Sequence, residues 1–259
     1  MAREEYFNRS LLRALLIVEA LGKEKTPLGI GEISRLTGLS KSTTHRLVLT
    51  LESRGWLKRL PDNDKYCLGM KLVTLSWIAR EEFASCREVH PFLCKLADIT
   101  KETVLLNVWN NNEVICVDKI EASQQISVTP KLNQSFPIHA GASGFAVLTT
   151  MPFQMVAQIF NTRKFETYTA RTLIDPQKLL RKYAEAKEKG YVISFGEKDD
   201  GVTGIATGLY FPHEQNYASI SVVLPDSRAT EDVNEKIISA VLDIKEEINL
   251  HFNFATKSI

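Results

Sequence analysis

The sequence predicts an α+β protein in two parts: a small helical module closed by a hairpin, then a larger domain with a mostly antiparallel sheet. Three observations support this. Up to about residue 69 the order is helix, helix, tight turn, helix, hairpin. Beyond residue 100, apolar strands flank short turn-forming stretches and are interspersed with helices. The charge is also uneven: residues 1–70 carry 12 Lys/Arg against 8 Asp/Glu, an excess of +4, whereas residues 71–259 carry 20 against 23, or −3.

The bulk composition is that of a folded globular chain. At 259 residues, 44% hydrophobic and 24% charged, it can bury one large core or two smaller ones, and it is not disordered, collagenous or of low complexity. No uncharged apolar run approaches the ~18 residues of a membrane span. The opening Met-Ala-Arg-Glu-Glu-Tyr lacks the apolar core of a signal peptide. The expectation is a cytoplasmic protein with no membrane partner. Cys67, Cys86, Cys94 and Cys116 form no C-x-x-C and have no ligand at short metal-binding spacing, so they read as reduced, mostly buried thiols. No metal or cofactor is expected.

In chain order, Leu11, Leu15 and Val18, with Leu12 and Leu16 beside them, mark a first helix ending at Gly22. Ile30, Ile33 and Leu36 mark a second, stopped by Thr37-Gly38. Ser40 is the N-cap of a third, with Leu47 and Leu51 expected inward. Trp56–Leu60 and Lys65–Leu68 flank Pro61-Asp62-Asn63-Asp64 and predict a hairpin. This is the order of a winged helix-turn-helix. From Gly69 to Ala84, Leu72, Leu75, Trp77, Ile78 and Phe83 predict a rigid helical connector. Its apolar residues need a partner surface, from a second chain or from the chain's own C-terminal domain.

Then come a helix near 89–101, strands at Thr103–Trp109 and Val114–Ile120, a short strand at Ile126–Thr129, and helices near 142–150 and 152–160. Asp175-Pro176 opens a helix that closes at Gly190. Gly204–Phe211 and Tyr217–Leu224 form another hairpin pair, and Thr230-Glu231-Asp232 opens a last helix.

The third helix points to DNA. At about 100° per residue, Ser42 and His45 face away from Leu47 and Leu51, with Lys41 and Arg46 at the sides and Thr43 on the flank. Arg or Lys can reach guanine in a major groove, and the hydroxyls of Ser40, Ser42 and Thr43 can bond a base or a phosphate. Lys58, Arg59 and Lys65 on the hairpin would contact phosphates. The bland alternative is a solvated helix face.

The stretch "PLGIGEISRLTGLSKSTTHRLVLTLESRGWLKRLPDNDKYCLG", from Pro27 to Gly69, resembles the DNA-binding domain of IclR-family bacterial transcription regulators. In the family's order, "PIHAGASG" at Pro137–Gly144, "RTLIDPQKLLRKYAEAKEKGY" at Arg171–Tyr191, "GVTGIATGLY" and "ASISVVLP" also resemble it. The resemblance implies a winged helix-turn-helix domain over 1–69, a linker helix over 70–84 and a GAF-like effector-binding domain over 85–259. It implies an effector pocket lined by Gly141, Ala142 and Ser143, with Gly204, Ser219 and Ser221 on the facing strands. Glu197 is what remains of the acidic stretch that carboxylate-binding members carry there, and Phe145 stands where a Lys is usual. A less polar, roomier pocket follows. The alternative for these positions is close packing of a small-residue turn.

An enzyme is not expected. Gly141-Ala142-Ser143-Gly144 lacks the final glycine of a G-x-S-x-G elbow, and no P-loop, H-E-x-x-H or G-x-G-x-x-G occurs. His139 reads as a structural histidine. The expected function is a DNA-binding regulator, repressor or activator, acting as a homodimer or homotetramer on a pseudo-palindromic operator and modulated by a small-molecule effector. The rival is a regulator whose C-terminal domain only oligomerises or meets a protein partner.

Overall fold

The structure, a computed structural model, describes residues 7–82, 84–110 and 113–255; Phe83 lies outside them, as do residues 111–112. The chain divides into two compact units, Met1–Glu82 and Phe83–Ile259.

In the first unit, the Asn8 side chain accepts hydrogen bonds from the amides of Ser10 and Leu11 and starts α1 (Arg9–Glu24). The helix runs through Gly22 and ends at Lys25, whose φ of 56° is left-handed. Its buried residues are Ile17 and Leu21, whereas Leu11, Leu12, Leu15 and Leu16 are all exposed. The leucine stripe of α1 therefore lies outside. In α2 (Ile30–Thr37), the Glu32 carboxylate accepts from the Gly29 amide at 2.7 Å, and Gly38 ends the helix. Ser40 caps α3 (Lys41–Ser53).

The inward face of α3 is Thr44 and Val48, not Leu47 and Leu51, which are half-buried flanks. Thr44 can sit inside because its hydroxyl donates to the Ser40 carbonyl at 3.0 Å, satisfying the polar group locally. Strands β1 (Leu57–Arg59) and β2 (Tyr66–Leu68) form the antiparallel wing, and α4 (Met70–Glu82) follows. Ile17, Leu21, Leu28, Ile33, Val48, Leu57 and Tyr66 close this unit's core.

The second unit opens with α5 (Ala84–Thr100), longer than expected and carrying Pro91 inside it. Its sheet is wholly antiparallel, in the order β5-β4-β3-β8-β7-β6. The strands are β3 (Thr103–Asn110), β4 (Glu113–Ile120), β5 (Ser135–Phe136), β6 (Val192–Phe195), β7 (Val202–Phe211) and β8 (Asn216–Pro225). The helices α6 (Ala142–Leu148), α7 (Phe153–Thr162) and α8 (Pro176–Lys189) share one core with Leu105, Ala206 and Val223. On the other face α5 and α9 (Glu231–Ala255) pack on Val104, Leu106, Ile205, Ile220 and Val222. The alternation of neighbours 104, 105 and 106 between two cores is the period of a strand. Helices on both faces explain why the central strands read as nearly continuous apolar runs.

The strand expected at Ile126–Thr129 does not form; that segment is an irregular loop with Ile126 exposed. The edge beside β4 is taken instead by β5, whose Ser135 and Phe136 pair with Ile115 and Val114. Strand β6 carries little signal in the sequence, being four residues long and following directly on the end of α8.

Candidate functional site

On the first unit the exposed face of α3 carries Lys41, Ser42, His45 and Arg46, with Thr43 half-buried. Ser40 is committed to capping: its Oγ accepts from the Thr43 amide at 3.2 Å and donates to Thr43 Oγ1 at 2.9 Å, with Ser42 Oγ at 3.1 Å. This hydroxyl cluster leaves Lys41, His45 and Arg46 as the exposed groups outside it. Of the wing cations, Lys58 is exposed, Arg59 is engaged by Asp64, and Lys65 lies 3.5 Å from Glu32. A nearby acid weakens the attraction of such a cation for a phosphate. The wing is thus less basic than its sequence.

On the second unit, the turn before α6 makes one wall of a small open cleft with about 50 Å³ of free space. Gly141, Ala142, Ser143, Glu197 and Gly204 all line it, together with Phe136, Ser194 and Lys198. Gly141 has a φ of 85°, which a side chain would strain, and a Cβ on Gly144 would lie 2.2 Å from the Pro137 carbonyl oxygen. The small residues are therefore set by backbone geometry.

Ser219 and Ser221 do not line the cleft. They are fully buried beneath α6, on the face of β8 that turns toward it. Asn107 donates to Ser219 Oγ at 3.2 Å and to Ser221 Oγ at 3.1 Å. Ser219 Oγ donates in turn to the Ser143 carbonyl at 2.7 Å, and Ser221 Oγ pairs with Ser143 Oγ at 2.9 Å. The two serines seat α6 on the sheet.

Half of the electrostatic centre of the cleft was legible in the sequence: Glu197 was, its partner Lys182 was not. Glu197 Oε2 accepts from the Gly141 amide at 3.0 Å, and both Glu197 oxygens accept from Lys182 Nζ at 2.6 Å. Both side chains are largely buried. Burial pushes the Lys182 ammonium below its ordinary pKa, and Glu197 opposes that shift. Lys182 also sits 4.6 Å from the centre of the Phe145 ring. In the sequence Lys182 is one cation among several in α8, and no local signal singles it out.

His139 is buried between Phe165 and Tyr168, with ring centroids 4.6 and 5.7 Å away. Its Nε2–H donates to the Glu166 carbonyl at 2.8 Å, and burial lowers its pKa. Ser143 is bonded to Ser221 instead, so the two do not form a base–nucleophile pair. The Cys116 thiol is pushed up to about 11 by burial, and Cys67 and Cys94 are free. The Cys86 side chain lies outside the described residues. Among the described residues no group of three His, Cys, Asp or Glu converges to hold a metal, and no helix is long and apolar enough to cross a membrane.

A winged helix-turn-helix with a cationic third helix, in one chain with a two-faced sheet domain that carries a cleft, defines a DNA-binding regulator. Comparison with known proteins narrows the class. "Bacterial transcriptional regulator IclR C-terminal" matches residues 81–250, and "IclR helix-turn-helix domain" matches residues 10–61. The chain belongs to the IclR family of bacterial transcriptional regulators, which are not enzymes.

The acetate operon repressor of Salmonella typhimurium is 26% identical over 250 residues, spanning 94% of this chain and 90% of the repressor. The regulator XynR of Escherichia coli is 29% identical over 220 residues, 85% of this chain and 87% of its own. A crystal structure of an IclR regulator from Silicibacter superposes with a TM-score of 0.85 at 21% identity, covering 94% of this chain and 96% of that one. An IclR homologue from Microbacterium hydrocarbonoxydans, complexed with 4-hydroxybenzoate, gives 0.77 at 25% identity, covering 93% and 99%.

Proposed function

We propose that α3 reads an operator in the major groove, and that a small molecule in the cleft beside Gly141, Ala142, Ser143 and Gly204 changes operator affinity. The observation that carries the DNA half is the α3 face itself: Thr44 and Val48 anchor it while Lys41, Ser42, His45 and Arg46 stay exposed. The effector half is supported by the cleft and by the related homologue with 4-hydroxybenzoate bound. Ligand control requires unequal affinity for DNA-competent and DNA-incompetent states.

The regulator acts in the cytoplasm as a homodimer or homotetramer on a pseudo-palindromic site. Support comes from the apolar surface of the first unit, where Leu11 and Leu15 of α1 and Met70, Val73, Trp77 and Ile78 of α4 are exposed. Exposed apolar side chains in that number call for a partner.

The test is Arg46→Ala, measured by fluorescence anisotropy on operator and random duplexes. If Arg46 reads a base edge, specific binding falls by about 1–3 kcal/mol and random binding much less. Equal affinity of mutant and parent for both duplexes would remove the proposed face. Light scattering in parallel gives the assembly state, and a strict monomer with and without DNA would remove the two-fold operator.

A further inference from the structure

We infer that the second unit carries another ligand site, in the open cleft beside His139, and that it takes a planar, largely apolar molecule bearing an O–H or N–H donor. It is separate from the cleft beside Gly141 and does not depend on that cleft being the effector site.

The strip from Phe136 to Gly141 divides two clefts. Ala140 and Gly141 line the small one, with about 50 Å³ of free space. Ile138 and His139 line the other, with about 530 Å³. Pockets for organic ligands commonly measure about 300–1,000 Å³, a range that only the second reaches.

His139 supplies the recognition. Its Nε2–H donates to the Glu166 carbonyl at 2.8 Å, so the neutral ring has its one N–H there and Nδ1 is left as an acceptor. Burial favours that neutral form. Nδ1 has no partner among the described residues. The unpartnered side-chain atoms sealed from solvent among those residues are Asn107 Oδ1 and Asn234 Oδ1, so Nδ1 keeps an opening. His139 is only 4% exposed and lines this cleft, which gives its lone pair a way out. No group of three His, Cys, Asp or Glu converges among the described residues, so the partner that Nδ1 calls for is an organic donor and not a metal.

The walls fit a flat molecule. Phe165 and Tyr168 stand with ring centres 4.6 and 5.7 Å from the imidazole, and Phe136 lies in the same wall. Charges of both signs surround them: Arg163 and Lys164 are opposed by Glu113 and Glu166, and Lys198 is paired with Asp199 at 2.9 Å. Neither sign prevails, so a charged ligand gains no consistent attraction. An aromatic molecule without a donor would displace water from Nδ1 and strand the acceptor, whereas one with a donor replaces that bond.

The experiment uses the full-length protein with isotope-labelled histidine, its imidazole signals assigned by through-bond correlation. The probes are 2-naphthol and its methyl ether, which share the rings and differ in the donor. In the parent, calorimetry gives naphthol an affinity about three- to tenfold above that of the ether, the span of one net hydrogen bond, and naphthol shifts the His139 Nδ1 signal. In His139→Phe, which keeps a flat ring without an acceptor, the two probes bind equally. Tyr168→Ala removes an exposed part of the wall, so it weakens both probes and keeps their ratio. Four results each overturn the inference: neither probe binding at millimolar concentration, naphthol binding that leaves Nδ1 unmoved, a naphthol preference that survives in His139→Phe, or full binding of both probes by Tyr168→Ala. If His139→Phe fails to fold, the Nδ1 shift in the parent and the loss in Tyr168→Ala decide, and the absence of either overturns it.

Discussion

Replacing Gly208 by alanine tests how α6 is seated on the sheet, and with it the wall of the cleft. Gly204 and Gly208 lie on the face of β7 that turns toward α6. A Cβ on Gly208 would lie 2.5 Å from Thr149 Oγ1, 2.6 Å from the Ala146 carbonyl oxygen and 2.7 Å from Thr150 Cγ2. Comfortable separation needs about 3.5 Å, so the end of α6 must retreat by about 1 Å. Every residue of Ala142–Leu148 is buried, so that retreat disturbs a packed core. Overpacking of this kind costs about 1–3 kcal/mol. The stiffer unfolded chain returns about 0.4–1 kcal/mol, leaving a net loss of about 1–2 kcal/mol.

Gly204→Ala is the internal control. There the nearest atom is Ala142 Cβ at 3.2 Å, which a shift of a few tenths of an ångström relieves. Overpacking and unfolded-chain terms then nearly cancel, leaving a change within about 0.5 kcal/mol of zero. Scanning calorimetry of the full chain reads both. At about 2–4 °C per kcal/mol, the transition of the C-terminal unit falls by about 2–8 °C in Gly208→Ala and by less than about 2 °C in Gly204→Ala. A Gly208→Ala protein that melts at or above the parent would refute the close seating of α6.

Arg228→Ala strips the buried Glu102 carboxylate of two bonds, from Nε and Nη2 at 2.6 Å each, and should cost about 3–5 kcal/mol in urea unfolding. Glu102→Gln on that background should recover much of the loss; no recovery would mean that the charge is not the cause. Burial lowers the His139 pKa in the folded state, so below the ordinary value of 6.5 the unfolded chain takes up a proton first. The stability due to neutral His139 is therefore complete above about pH 6.5 and is lost as pH falls through the lowered folded value. His139→Asn should flatten that acid limb in urea titrations at stepped pH, and an unchanged slope would contradict it. Lys58→Ala should reduce the salt dependence of DNA binding by about 0.9 for each phosphate it no longer neutralises, and Arg59→Ala by less, because Asp64 already engages Arg59. Equal slopes for the two variants would show that the wing pairing does not matter in the complex.

The sequence by itself determined the features that act over a few residues. Ser40 capping α3, Asp175-Pro176 and Gly190 bounding α8, and the turn at Pro212–Gln215 between β7 and β8 were all legible, because caps and turns are closed by neighbours in the chain. The same holds for the α+β order and for the cationic residues of α3. Tertiary structure decided which face each element buries. Thr44 turned inward ahead of Leu47 because a local hydrogen bond removed its polar cost, and the leucines of α1 stayed outside because the core filled from Ile17 and Leu21.

It decided the chemistry of the cleft as well. Glu197 reaches Gly141 across 56 positions of sequence, and Ser221 meets Ser143 across 78. Such pairings follow from strand register and helix docking, which no local pattern encodes. Ser219 and Ser221 are on the side of β8 that alternation predicts, yet α6 covers them, and Lys182 enters only because α8 brings it beside Glu197. Local chemistry sets where elements begin and end; the packing of distant elements sets which polar groups meet.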